Sequence, residues 1–119
     1  MEPQLRAGEL YKYQEKKGED EVKFIAFFEY CPEDFEKVAE KFRLAMADRE
    51  KGSEKFPKII FPTSALGGEF KGITIYENPT EEQLNNLVIH YMPEVKFKFV
   101  QLTDAAKFIE QYFKAKKKA

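Results

Sequence analysis

Apolar positions follow two different spacings along the chain, and their alternation predicts a series of strands and helices after a polar start. Residues 1–21 are heavily charged and carry only isolated apolar side chains. They are expected to form either a mobile extension or a short helix that packs on a partner. From residue 22 onward, apolar runs of strand length alternate with longer stretches of helical periodicity. We therefore predict an N-terminal extension at residues 1–21 and a single domain at residues 22–119.

The first strand is predicted over residues 22–30, VKFIAFFEY. This run contains no Gly or Pro and places apolar side chains on both sides, which is typical of a strand buried on both faces. Cys31 and Pro32 end the strand, and proline suits the first position of a helix because its missing N–H would have no partner there. Apolar residues then recur at helical spacing, which predicts an amphipathic helix over residues 33–49.

The middle of the chain predicts two further strands and the start of a second helix. KIIFP, residues 58–62, predicts a strand that its final proline keeps short or places at a sheet edge. A Gly-Gly hairpin turn at residues 66–69 leads to a third strand over residues 70–77. Thr80 and Gln83 have the spacing of a capping box, which predicts that a helix begins there.

The end of the chain completes an α+β fold. Residues 94–102 predict a fourth strand, and Thr103 or Asp104 is expected to cap a last helix. The order β-α-β-β-α-β-α predicts a ferredoxin-like plait, in which a four-stranded antiparallel sheet carries two helices on one face. The other face is left bare although the first strand is apolar on both sides. The third helix or a second chain can cover it, and we expect a second chain because buried homodimer surfaces are rich in aromatic residues.

Composition and charge narrow the classes of function. The 119 residues have a formal net charge of −1, so there is no excess of positive charge to attract nucleic acid or an anionic membrane. One Cys and one His exclude an intrachain disulfide and a zinc site of the Cys/His type. No apolar run approaches the ~20 residues of a membrane span and the start has no hydrophobic signal region, so we expect a cytoplasmic protein. Lys and Glu dominate the charge, as in thermophile proteins.

Several strings of the sequence resemble a known group of proteins. FFEYCPEDFEKVAEKF, DREKGSEKFPKIIFP, GGEFKG and VKFKFVQL are similar to an uncharacterised domain-of-unknown-function family found in archaea and bacteria, which is assigned to the dimeric α/β-barrel superfamily of ferredoxin-like folds. The similarity covers about residues 22–113. It implies a homodimer whose two sheets pack face to face. The superfamily includes antibiotic-type monooxygenases, haem-degrading enzymes, lactone isomerases and ligand-sensing modules, so the fold leaves the activity open.

His90 is the only imidazole of the chain, and two interpretations of it remain open. In the haem-handling members of the superfamily a His on the equivalent helix ligates the iron, so the resemblance implies haem as an alternative cofactor. The other interpretation is structural: a histidine at the edge of a helix, partly exposed or hydrogen-bonded to a carbonyl group.

The end of the first strand carries the remaining candidates for chemistry. Glu29 and Tyr30 place a carboxylate and a phenol where sheet, helix and solvent meet, an arrangement that can orient a polar ligand or exchange a proton. The alternative is an ion pair for Glu29 and a core position for Tyr30. Cys31 is expected at the helix N-cap, where the dipole favours a reactive thiolate. Neighbouring carboxylates oppose that charge, so we expect a buried or half-buried, inert thiol.

These observations support three hypotheses for function. The preferred one is a homodimer that binds or senses a small apolar or aromatic ligand in a cleft walled by aromatic side chains, with no cofactor and no metal. Its ligand-binding candidates are Phe28, Tyr30, Cys31, His90 and Tyr91. The first alternative is a cofactor-free or haem-using enzyme of the monooxygenase or isomerase type, with His90, Tyr30 and Glu29 as acid or base groups. The second alternative is a purely structural dimer.

Overall fold

The chain folds into four strands and three helices, in the order predicted from its hydrophobic periodicity. The structure, a computed structural model, describes residues 21–118. The predicted N-terminal extension therefore lies outside the described residues except for Glu21. The elements are β1 (Lys23–Glu29), α1 (Phe35–Glu50), β2 (Lys58–Ala65), β3 (Lys71–Glu77), α2 (Glu81–Tyr91), β4 (Lys96–Leu102) and α3 (Ala105–Lys118).

Local sequence signals explain where the helices begin. The Thr80 side chain accepts a hydrogen bond from the backbone N–H of Gln83, and the Gln83 side chain accepts one from the N–H of Thr80, so the predicted capping box is confirmed. Asp104 caps α3 by accepting from the N–H of Ala106 at 2.8 Å. Helix α1 begins two residues later than predicted, because Pro32–Asp34 forms a 3-10 turn first.

The strands form one antiparallel sheet in the order β2-β3-β1-β4. Strand β2 lies at an edge, as the proline at its centre predicts. It continues past Pro62 to Ala65, beyond the predicted end, with register shifts between Ile59 and Ser64. An edge strand tolerates these irregularities because one of its sides needs no ladder hydrogen bonds.

Helices α1 and α2 cover one face of this sheet. Ala26 of β1 and Tyr76 of β3 are buried beneath Val38 of α1 and Leu87 of α2. Phe28, Phe97 and further aromatic side chains pack around this core. The face that carries the core is therefore the one to which even-numbered residues of β1 point.

The opposite face of the sheet is open in a single chain. Its register sets Ile25 beside Ile75 and Val100, and Phe27 beside Ile73. We call these five residues, together with Phe61 of β2, the open sheet face. Phe27, Phe61 and Val100 are 41%, 43% and 38% exposed. In a single chain only one face of β1 is buried, because both helices lie on the same side, and burial of the other face by a second chain stays a prediction.

Helix α3 also leaves its apolar side exposed. Phe108, Ile109, Tyr112 and Phe113 are each more than half exposed, and they lie on one side of the helix at spacings of three and four. The described chain has a radius of gyration of 17.8 Å and extents of 53 × 33 × 30 Å, against ~13 Å expected for a compact chain of about 100 residues. No helix among residues 21–118 is long and apolar enough to cross a membrane.

Candidate functional site

A cavity of about 730 Å³ opens between the end of α1, the following loop and the edge strand β2. We call it the Arg49 cavity. Its volume is typical of sites that hold small molecules. Charged groups at the lining include the Arg49 guanidinium and the side chains of Glu54, Lys58 and Glu77. The apolar walls are formed by Phe42, Met46, Phe56, Ile59, Ile60 and Pro62.

Arg49 is held rigidly at the wall of this cavity. Its Nη2 donates a hydrogen bond to the carbonyl oxygen of Pro57 at 3.1 Å. The guanidinium carbon lies 5.4 Å from the ring centroid of Phe56 and 5.8 Å from that of Tyr76, within the range of cation–π attraction. The Nε–H is buried and has no hydrogen-bond acceptor among the described residues. The arginine is thus positioned by the protein with part of its donor capacity unused.

The loop beside Arg49 is tied to helix α2. The Gln83 side chain donates to the carbonyl oxygen of Glu54 at 2.9 Å, and the Asn86 side chain donates to that of Lys55 at 3.1 Å. Phe56, next in the loop, is buried. Because α2 anchors the loop on one side and Arg49 on the other, the cavity wall is fixed by side-chain contacts to backbone groups.

The other charged groups at the Arg49 cavity are one lysine and two carboxylates. Lys58 Nζ lies 3.7 Å from Glu77 Oε1, so these two residues neutralise each other at the rim. Glu54 is exposed, where water screens its charge. Burial raises the pKa of Tyr76 above its ordinary value, and the nearby Arg49 charge opposes that rise. Arg49 is therefore the cation of the inner wall.

A smaller cleft of about 440 Å³ lies at the end of β1. We call it the Tyr30 cleft. It brings together three of the residues singled out in the sequence, Glu29, Tyr30 and Cys31, and its wall is completed by Pro32, Glu69, Phe70, Lys71, Glu94 and Lys96. The Tyr30 ring meets Phe70 edge-on, with 5.8 Å between centroids. The cleft therefore combines a phenol with both acidic and basic groups.

Cys31 differs from expectation within this cleft. It precedes the 3-10 turn rather than α1, and its side chain makes no capping hydrogen bond. The residue is exposed, so the prediction of a buried or half-buried thiol is wrong. The connection from β1 to α1 runs over the surface here, so neither a helix nor a strand covers Cys31.

His90 lies outside both cavities. Its Nε2 is 2.7 Å from the carbonyl oxygen of Lys41 in α1, and its ring meets Phe56 and Tyr91 edge-on, with centroid distances of 5.2 and 4.8 Å. This is the structural interpretation offered by the sequence. The imidazole joins α1 to α2 and contributes no lining to the Arg49 cavity or the Tyr30 cleft.

Tyr91 packs in the core, and Phe28 lines a third cavity of about 330 Å³ that adjoins the Tyr30 cleft. Tyr91 is 9% exposed, and burial raises its pKa to about 12, so the phenol is neutral at physiological pH. The Phe28 ring packs near Phe97 at 6.5 Å between centroids. The five ligand-binding candidates are therefore divided: Tyr30 and Cys31 line one cleft, Phe28 lines the third cavity, and Tyr91 and His90 lie between the helices and the sheet.

An ion pair joins the middle of α1 to Glu94, which lines the Tyr30 cleft. Lys41 Nζ donates to Glu94 Oε1 at 2.6 Å and to the carbonyl oxygen of Met92 at 2.9 Å. The hydrogen bond from Lys41 lowers the pKa of Glu94 below its ordinary value. Residues 21–118 contain no group of three His, Cys, Asp or Glu side chains placed to hold a metal ion.

No family model, curated protein or solved structure matches this chain. The resemblance to the dimeric α/β-barrel superfamily therefore stays a prediction.

Sequence reasoning missed Arg49, the residue around which the larger cavity is built. A basic residue in the last turn of a helix is common because it complements the helix dipole, and Arg49 occupies such a position in α1. Arg43 on the same helix is exposed and pairs with Glu40 at 2.8 Å. Nothing in the sequence separates these two arginines, because the contacts of Arg49 come from a loop and a strand that are distant along the chain.

Proposed function

We propose that the chain is a small-molecule-binding module, and that the Arg49 cavity is its binding site. The observation that carries the proposal is a cavity of about 730 Å³ with apolar walls and one positioned cation at its inner wall. Ligand sites are typically concave and apolar with a few fixed polar groups. The Tyr30 cleft is smaller and more polar in its lining residues, which makes it the weaker candidate for an apolar ligand.

Thermal denaturation of the full chain tests the proposal. A ligand that binds only the folded state raises the melting temperature as its concentration passes Kd. We expect octanoate or octanamide, at millimolar concentration, to raise the melting temperature followed by circular dichroism. Acetate and acetamide carry the same head groups without the apolar tail and are expected to have no effect. If neither octyl compound raises the melting temperature more than its short control, the cavity is not a site for apolar ligands.

We also propose that the chain forms a homodimer of the dimeric α/β-barrel type. The strand order β2-β3-β1-β4, with two helices on one face, supports a ferredoxin-like plait. The open sheet face supports the dimer, because an apolar surface of this kind is normally covered. A second copy is the natural occupant, since face-to-face packing of two identical sheets closes both surfaces at once.

The open sheet face alone is too small to form a standard dimer interface. Four strands of about seven residues span a flat area of about 440 Å², roughly half of the ~800 Å² that a partner buries in a standard interface. Helix α3, with 14 residues, is about 21 Å long and adds a further apolar strip. If each chain packs its α3 against the other chain, the interface gains two such strips.

The position of α3 supports packing against the second copy rather than against its own sheet. Only Thr103 and Asp104 separate it from β4, and the Asp104 cap fixes the first turn. Phe108 and Tyr112 are then 67% and 52% exposed. Sedimentation equilibrium measures the outcome: we expect a mass of twice 14.0 kDa for the full chain, and a stable mass of 14.0 kDa at micromolar concentration would contradict the dimer.

The Tyr30 cleft supports a second candidate function, an enzyme that transfers a proton. The favouring observation is that Glu29 and Tyr30 share a cleft with Lys71 and Lys96, so acid and base groups face one small space. His90 does not line this cleft. Proton–deuterium exchange at the α-carbon of a panel of small ketones, followed by NMR, tests this candidate. Exchange that is lost in both Tyr30→Phe and Glu29→Gln would support it, whereas no exchange above the buffer rate excludes it for these substrates.

A further inference from the structure

We infer that the Arg49 cavity selects ligands that combine an apolar body with one anionic head group, such as a carboxylate. This inference rests on the proposed binding function and names the chemical class of its ligand. The reason is that the hydrogen bond of the Arg49 guanidinium goes to a neutral group, the carbonyl oxygen of Pro57. Among residues 21–118, no carboxylate lies within ion-pair distance of Arg49.

Contacts within the protein hold Arg49 in place, and part of its guanidinium stays available to an anionic ligand. The contacts to Pro57, Phe56 and Tyr76 fix the plane of the guanidinium, so little conformational freedom is left to lose when a ligand binds. The Nε–H is buried, so the groups of the guanidinium that a ligand in the cavity can reach are its Nη–H groups. An anionic oxygen that accepts from them forms a hydrogen bond between two charged groups, and such bonds are the strong ones.

The lining of the cavity favours a ligand with an apolar body and a single negative charge. Phe42, Met46, Ile59 and Ile60 offer hydrocarbon surface to the ligand. The second cation of the lining, Lys58, is paired with Glu77 at 3.7 Å. A polyphosphate would need several unpaired cations, whereas one arginine fork matches one carboxylate. The class that fits is therefore a small fatty or aryl carboxylate rather than a nucleotide.

Isothermal titration of the full chain with matched probes tests the inference. Octanoate, octanamide and octylammonium share one tail and differ in the charge of the head group. We expect octanoate to bind at least ~10-fold more tightly than octanamide, and octylammonium to bind more weakly than both. Arg49→Gln is expected to reduce octanoate affinity to the level of octanamide. Arg49→Lys keeps the charge without the fork and is expected to fall between.

Arg43→Gln is the matched control, because it removes the same charge from the exposed side of the same helix. It is expected to leave the preference for octanoate unchanged. Arg49 also contacts the core, so its variants can lose stability. A measurement on the unmodified chain tests the same contact without a substitution. The Nε–H resonance of Arg49 is expected to shift in NMR spectra on addition of octanoate more than with octanamide, while the Nε–H of Arg43 stays in place.

The outcomes separate the inference from the binding function. Equal affinity for octanoate and octanamide, with no shift of the Arg49 Nε–H resonance, would overturn the anion preference and leave the binding module standing. A preference for octanoate that persists in Arg49→Gln would also overturn the inference, because another residue would then bind the carboxylate. If none of the three octyl compounds binds, both the inference and the proposed function are wrong.

Discussion

His90 Nε2 lies 2.7 Å from the carbonyl oxygen of Lys41, which joins α2 to the backbone of α1. The ring fills the space between Phe56 and Tyr91. The single histidine of the chain is thus part of the packing between helices, and it lines neither the Arg49 cavity nor the Tyr30 cleft.

His90→Ala is therefore expected to lower stability and leave ligand affinity unchanged. Loss of one hydrogen bond and two edge-on ring contacts should reduce the free energy of unfolding by about 2 kcal/mol. Urea denaturation measures the loss, and octanoate titration measures the affinity. Ile89→Ala is the control, since Ile89 is 63% exposed on the same helix and should change stability by only about 0.5 kcal/mol. Reduced octanoate affinity with unchanged stability would instead indicate a ligand contact at His90.

The ion pair between Lys41 and Glu94 predicts a dependence of stability on acid pH. The hydrogen bond from Lys41 lowers the pKa of Glu94 below 4.5 in the folded state. Its stabilisation is therefore fully present above the unfolded-state pKa and is lost as pH falls through the lowered folded-state pKa. Glu94→Gln should be less stable than the unmodified chain at pH 7, and the difference should shrink as the pH falls below the ordinary pKa of 4.5 and through the lowered pKa of Glu94.

Urea denaturation between pH 3 and 7, in about half-unit steps, measures this difference. Glu40→Gln is the control, because the Glu40–Arg43 pair is exposed to solvent and such pairs contribute little. A stability difference between Glu94→Gln and the unmodified chain that stays constant across this pH range would show that the carboxylate charge is not the cause.

Gly72 is expected to be irreplaceable in β3. A Cβ atom at this position would lie 2.6 Å from the Cζ of Phe28 and would meet the backbone oxygen of Ser64 on the other side. Gly72→Ala should therefore reduce the free energy of unfolding by about 1–3 kcal/mol. Gly67→Ala is the matched control: a Cβ there meets nothing within 4 Å, and we expect a change of about 0.5 kcal/mol at most. Equal effects in the two variants would show that the close approach of β2 to β3 is relaxed in solution.

The proposed dimer predicts that single charges on the open sheet face separate the chains. Phe27→Asp places a carboxylate on that face beside Lys98 of β4, where burying both charges between two sheets costs more than their mutual attraction returns. We expect it to sediment at 14.0 kDa, while the unmodified chain sediments at twice that mass. Ile89→Asp introduces the same charge at an exposed position on the helical side and should leave the dimer intact. A dimer that survives Phe27→Asp would place the interface elsewhere.

Helix α3 is tested within the same prediction. Tyr112→Asp alters its apolar side, and Gln111→Asp alters the neighbouring polar side. We expect the first variant to weaken the dimer at least ~10-fold and the second to leave it unchanged. If both variants dimerise equally, α3 takes no part in the interface and the sheet face alone forms it.

Signals that act over a few residues predicted the fold well. The Thr80 capping box and the Gly-Gly turn are local and follow from neighbouring residues, and Asp104 is one of the two caps that the sequence offers for α3. The end of β2 was less predictable, because an edge strand accommodates Pro62 by shifting register rather than by ending. That outcome depends on the pairing with β3, which no local pattern contains.

The candidate site was predictable only where neighbours in sequence remain neighbours in space. Glu29, Tyr30 and Cys31 are consecutive and share the Tyr30 cleft. His90 is drawn into the helix interface by Lys41, which lies 49 residues earlier. Arg49 acquires its role from Phe56, Pro57 and Tyr76. Such contacts arise from tertiary packing, so the sequence presents Arg49 as an ordinary polar residue at a helix end.

The central claim, that the Arg49 cavity binds a small molecule, is tested most directly by fluorescence from a single tryptophan at its wall. The chain contains no Trp, so Phe42→Trp places the only indole beside the cavity. Leu44→Trp places it two residues away on the same helix, at a position 52% exposed. Titration with octanoate should change the emission of Phe42→Trp saturably, because the ligand displaces water from the indole, and leave Leu44→Trp unchanged. No saturable change in Phe42→Trp, or equal changes in both variants, would contradict the claim.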